Sequence, residues 1–260
     1  MTPDTYSIRA ERAGVLATPG WAIMLGENDS TLHDLHFYVW IVTDGTTIGL
    51  IDTGLPPDRA DSDALSATNR AFGDTTGFRS MRTLAQILED ARIDPADIAF
   101  VALTQTVTYH TGGLDAALLP NATFYLARAG VDEFLGDPPG HPAPEFYFTA
   151  ASWDSLRILA IEGRLRLVAD AEQIRPGIRF EVTGGHHPGS AGVLVSTPQG
   201  LVGILETAFF ARNLETGRPI GIAENAAAAR RAMASFLARC DDVAAIHDPG
   251  NAERFRAVVR

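Results

Sequence analysis

The run Ile98-Ala-Phe-Val-Ala-Leu103 opens without interruption into Thr104-Gln-Thr-Val-Thr-Tyr-His-Thr-Gly-Gly113. No other stretch narrows the fold as much. A short apolar run, bounded upstream by the turn Asp94-Pro-Ala-Asp97, reads as a buried strand. A buried strand whose carboxyl end gives way to polar residues is where α/β sheets place their chemistry. The glycine pair is expected to lead into a short helix near 114–119.

Turn chemistry divides the rest of the chain. Residues 6–13 and 20–25 read as short strands around Thr18-Pro-Gly20. The runs His36–Val42 and Thr47–Ile51, joined by Asp44-Gly45, carry a strong hairpin signal. Pro56-Pro57-Asp58 opens a helix reaching about Phe72. Ser80 is placed to cap the next helix, with Met81, Leu84, Ile87, Leu88 and Ala91 on one face. Further strands are expected near 122–126, 165–168, 178–183, 192–196, 201–205 and 243–246, with helices near 128–135 and 226–240. Four prolines between Gly136 and Pro144 exclude regular structure there, so 136–152 is expected to be a lid or substrate loop. Strands and helices interleave throughout, without a linker rich in Gly and Ser. That pattern favours a single domain, 1–260, of packed sheets covered by helices.

Composition removes several classes of function. Net charge is −11, from 21 basic and 32 acidic residues, which argues against nucleic acid and anionic membranes as partners. Every basic residue is arginine, so Schiff-base chemistry through lysine is excluded. Cys240 is the only cysteine; it has no disulfide partner in the chain, and a packing role is expected for it. No signal peptide is read at the N-terminus, and no apolar run approaches the roughly 18–20 residues a membrane helix needs. The expectation is a cytoplasmic protein acting on a small molecule.

Polar signals fall just past the ends of several expected strands: Asp52, the 104–110 loop, Gly184-Gly-His-His-Pro-Gly-Ser190, Glu206 and His247-Asp248. Alone, each has a bland reading as a turn or a hydrogen-bonded structural residue. Together they place ionisable side chains on one edge. Leu50-Ile-Asp-Thr-Gly54, Leu103–Gly113, Gly185–Ser190, Gly203-Ile-Leu-Glu-Thr-Ala208 and Ile246-His-Asp-Pro249, in this order, resemble the metallo-β-lactamase superfamily, and within it the N-acyl-homoserine lactonase branch. The resemblance implies an α+β or α/β fold, a four-layer αββα sandwich with its site at the strand-end edge. It also implies a homodimer.

The family's His-x-His-x-Asp-His motif falls on Gln105, Val107, Tyr109 and His110, so three of its four ligands are replaced. Val107 has no ligand atom, and Gln105 is at best a weak oxygen ligand. The later family ligands fall on His186, Glu206 and His247. The resemblance thus implies at most one zinc or similar divalent transition ion, held by His110, His186, Glu206 and His247. A site without metal stays open. Tyr109, Glu206 and His186 become the catalytic candidates; Gln105, Phe209 and His187 are candidates for substrate contact. Phe209 lacks the hydroxyl of the tyrosine that assists lactonases of this branch nearby. Three functional readings follow: a hydrolase of a small ester or lactone, a metal-independent lyase, isomerase or cyclase, and a ligand-binding protein without catalysis.

Overall fold

The computed structural model describes residues 5–70, 73, 76–136 and 147–256. Most of the 136–152 loop, including His141, lies outside them. Two sheets form the centre. The first has the order β1 (Ser7–Pro19), β2 (Leu32–Thr43), β3 (Ile48–Ile51), β4 (Ile98–Leu103), β5 (Thr123–Ala127), β6 (Leu165–Val168). It is antiparallel up to β3 and parallel from there on. The second has the order β11 (Asp242–Ala245), β10 (Gly200–Leu205), β9 (Ala191–Thr197), β8 (Ile178–Val182), β7 (Ala171–Arg175), with only β10 and β11 parallel.

The period-2 alternation of these strands sorts the core into layers. Tyr38, Trp40 and Val42 of β2 and Phe100 and Ala102 of β4 meet Phe180, Val193 and Ile204 between the sheets. The alternate residues Val39, Ile41, Val101 and Leu103 face outward onto α3 (Leu84–Ala91) and α6 (Ala150–Ile161), through Ile87, Leu88, Leu156 and Leu159. Leu194, Leu205 and Val243 of the second sheet likewise face Met233 and Phe236 of α8 (Ala226–Arg239). The strands are apolar on both faces because both are covered. The result is the expected four-layer αββα sandwich.

Several expectations for individual elements differ. β1 is one strand of 13 residues, and Gly20–Ile23 is a helical turn, α1, rather than a strand. Thr83, not Ser80, caps α3, and Met81 is exposed. The helix beside the glycine pair precedes it, as α4 (Thr108–Thr111), and 114–119 forms turns. The remaining helices are α2 (Arg59–Arg70), α5 (Arg128–Leu135), α7 (Ala211–Thr216) and α9 (Asn251–Arg254). No described helix is long and apolar enough to cross a membrane.

Candidate active site at the strand-end edge

The carboxyl ends of β3, β4, β8, β10 and β11 meet at one edge. Backbone hydrogen bonds stitch them: Ala191 N donates to Thr104 O (2.8 Å), Thr53 N to His110 O (2.9 Å), and His36 N to His247 O (3.2 Å). Asp52 takes the left-handed region at φ 61°, unusual for a residue with a side chain. That turn aims its carboxylate back at the 104–110 loop. Oδ1 accepts from Thr104 N at 2.7 Å, and Oδ2 lies 2.8 Å from His110 Nδ1. Burial alone would lower the His110 pKa, but the charge and hydrogen bond of Asp52 outweigh it, and the pKa is raised.

Three imidazoles reach this edge, each with Nδ1 already engaged. His186 Nδ1 lies 2.5 Å from Glu206 Oε1, and His247 Nδ1 lies 2.9 Å from the carbonyl oxygen of His36. Glu206 is fully buried. Burial would raise its carboxyl, but His186 and then His110 hold it down at about 2. His247 is pushed well below its ordinary value by burial and by the charge of His110. The His110 and His247 ring centres are 5.2 Å apart, and Phe209 stands edge-on to both His186 and His247.

A cavity of about 80 Å³ opens beside these groups. Its polar wall is His110, His186, His247 and Tyr109, with Asn69. Its apolar wall includes Leu16, Leu35, Phe37, Val107, Phe209 and Ile222. Val107 therefore presents carbon to the cavity from a position where a metal ligand would stand. Tyr109 stacks on Phe37 at 5.1 Å between ring centres and accepts a hydrogen bond from Asn69 Nδ2 at 2.7 Å.

Three candidates do not line this cavity: Gln105, His187 and Glu206, the last wholly buried against His186. Gln105 is wholly buried: Nε2 donates to Ser190 Oγ (2.8 Å) and Oε1 accepts from Thr106 N (2.8 Å), so it ties two loops together. His187 turns the other way, toward Glu224. The aromatic residues Tyr147, Phe148 and Trp153 pack in the outer core. Asn69 is not among the candidates named from the sequence. Its signal is an asparagine on the apolar stripe of a polar helix, four residues after Leu65, and both residues are buried.

His110, His186, Glu206 and His247 have the donor types that one divalent transition ion takes, but among the described residues no three of them bring their donor atoms within 4.8 Å of one another. Holding each Nδ1 leaves Nε2 as the ligand atom, the usual support for a metal-binding histidine, and buried Glu206 Oε2 has no hydrogen-bond partner. An ion held by His110, His186, Glu206 and His247 would need these side chains to draw closer together; Asp52 and the His36 carbonyl already orient two of the rings.

No family model and no curated protein matches this sequence. Solved structures do. One is an N-acyl homoserine lactone hydrolase with N-hexanoyl-L-homoserine bound at its catalytic metal centre: 16% identity, TM-score 0.76, covering 98% of this chain and 97% of that one. A probable metal-dependent hydrolase from Staphylococcus aureus matches at 17% identity and TM-score 0.73, over 95% and 91% of the two chains. AidC, a dizinc quorum-quenching lactonase, matches at 14% identity and TM-score 0.63, over 95% and 92%. With its sheet order, its layers and these likenesses over nearly its whole length, the chain has the metallo-β-lactamase fold.

Proposed function

We propose that the protein hydrolyses a small ester or lactone with an apolar acyl part, using at most one metal ion. The observation that carries this reading is the cavity itself. One wall offers three imidazoles, a phenol and the Asn69 amide, and the rest, Thr18 apart, is apolar. An apolar acyl group would lie against Leu16, Leu35 and Ile222, leaving its carbonyl carbon beside the histidines. Lactone hydrolysis by structural neighbours of the same fold supports the choice of reaction.

The chain's own groups divide the work. Burial of the cavity wall excludes bulk water from the acyl group. With no metal bound, His186 takes up the proton of an attacking water at Nε2, its Nδ1 held by Glu206, as a general base must. Tyr109, fixed by Asn69 and Phe37, donates toward the developing oxyanion or the leaving alkoxide. When bound, a divalent ion at His110, His186, Glu206 and His247 would supply carbonyl polarisation and a more acidic water.

The test is turnover of a panel of acyl lactones and aryl esters by protein purified without chelators, with its metal content measured alongside. Hydrolysis of a panel member, falling at least about 100-fold in Glu206→Gln, is expected. No hydrolysis of any member overturns the reading. Hydrolysis indifferent to chelators with less than about 0.2 ion per chain retains the hydrolase and removes the metal. The direct contact between His186 and Glu206 also suits metal-free proton transfer, the lyase or isomerase reading; product without incorporation of solvent oxygen identifies that case.

A further inference from the structure

Behind the catalytic edge, on the far side of His187, three segments meet. α5 carries Glu133, the loop after β8 carries His187, and the segment before α8 carries Glu224. One donor atom from each side chain lies within 4.8 Å of the other two, the only such trio of His, Cys, Asp or Glu among the described residues. His187 Nδ1 stands 2.8 Å from Glu224 Oε1, and the imidazole is only 7% exposed. Glu133 Oε1 accepts from the Tyr147 hydroxyl at 3.1 Å. Glu133 Oε2 is buried and has no hydrogen-bond partner.

The backbone holds these three segments together. Gly130, one turn before Glu133 on α5, lies against Gly189, two residues past His187. A Cβ at Gly130 would come within 2.9 Å of the Gly189 Cα and 2.4 Å of Thr106 Cγ2, so only a glycine pair permits this approach. On the other flank Glu224 N donates to His186 O at 3.1 Å, and Asn225 N to Gly185 O at 2.9 Å. Gly185, at φ +100°, has its α-carbon so close to α8 that a Cβ would meet Ala229 at 2.9 Å. The donors are therefore set on a preformed frame.

From this geometry we infer that Glu133, His187 and Glu224 form a binding site for a divalent transition ion, separate from the catalytic set. Two carboxylates and one imidazole make a mixed oxygen and nitrogen ligand set, suited to Mn²⁺ or Zn²⁺ with water completing the shell. A cation there neutralises two facing carboxylates and gives the buried Glu133 Oε2 the partner it lacks. It also clamps α5 and the segment before α8 onto the loop that carries His186, whose ring centre is 4.3 Å from that of His187. The inference does not depend on the hydrolase reading, since neither carboxylate touches the cavity.

The test separates the two sites. Full-length protein carrying His110→Ala and His247→Ala, stripped of metal, is titrated with MnCl₂ and with ZnCl₂. It should still take up one ion per chain. Adding Glu133→Gln and Glu224→Gln should weaken that binding by at least about 10-fold. Equal uptake with and without the two glutamates overturns the inference, as does no uptake in the parent variant while circular dichroism shows it folded. Crystals of the unaltered protein soaked in MnCl₂ provide a check free of mutation. An anomalous peak among the three side chains is expected, and its absence there is equally fatal.

Discussion

Tyr109 shows how a single substitution changes what a site can do. It stands at the position where the family resemblance expects an aspartate ligand, yet its ring is stacked on Phe37 and its hydroxyl is held by Asn69. A phenol so fixed donates a proton or a hydrogen bond. Tyr109→Phe should lower kcat by about 100-fold if it serves as the general acid, with a much smaller change in KM. Asn69→Ala acts through the same hydroxyl, so the double variant should be little worse than Tyr109→Phe alone. Strict additivity in that cycle would show that the two do not act as a unit. The residues proposed to carry chemistry were legible because their types are informative wherever they stand: His110, His186 and His247 line the one cavity, and Glu206 is bonded to His186 behind it. Gln105 and His187 show the limit. Which way a side chain turns depends on partners distant in sequence, Ser190 for one and Glu224 for the other.

Elements were readable where local chemistry decides them and misread where tertiary partners do. α3 illustrates both. Its apolar stripe appears as expected at Leu84, Ile87 and Leu88, but the start differs because Thr83 and Gln86 form a reciprocal capping box, Gln86 N to Thr83 Oγ1 at 3.2 Å and Thr83 N to Gln86 Oε1 at 2.9 Å. Ser80 instead sits in the left-handed region, at φ 53°. Thr83→Ala should therefore cost about 1 kcal/mol of stability, and Ser80→Ala less than about 0.5 kcal/mol. Chemical denaturation of the two variants measures the difference, and the reverse order would restore Ser80 as the cap. β1 runs on through Gly14 because pairing with β2 along its whole length overrides local turn signals. The turn expected at Thr18-Pro-Gly20 marks only where that pairing ends. The glycine pair 112–113 was misread for a similar reason. A Cβ at Gly112 would meet Pro56, and one at Gly113 would meet the Thr53 carbonyl oxygen, so the pair serves close packing against the β3 loop rather than helix initiation.

At the scale of the molecule, the two sheets share one core and are fastened at the chain ends as well. Tyr6 N, just before β1 of the first sheet, donates to Ser196 O in β9 of the second, and Ala10 N in β1 donates to the Phe255 carbonyl oxygen. The Phe255 ring then packs on Trp40 in the inter-sheet layer, with ring centres 5.3 Å apart. Neither sheet can bury its inner face without the other, so we expect one cooperative unfolding transition in spite of the chain's length. Far-UV circular dichroism, which follows the sheets and helices, and tryptophan fluorescence should trace coincident curves in urea. Phe255→Ala removes a ring from that shared layer and should cost about 3 kcal/mol, moving both curves to lower urea together. If the fluorescence curve alone moved, or the dichroism split into two steps, the sheets would be separate folding units. The C-terminal segment would then be a local fastening on one of them rather than part of a single core.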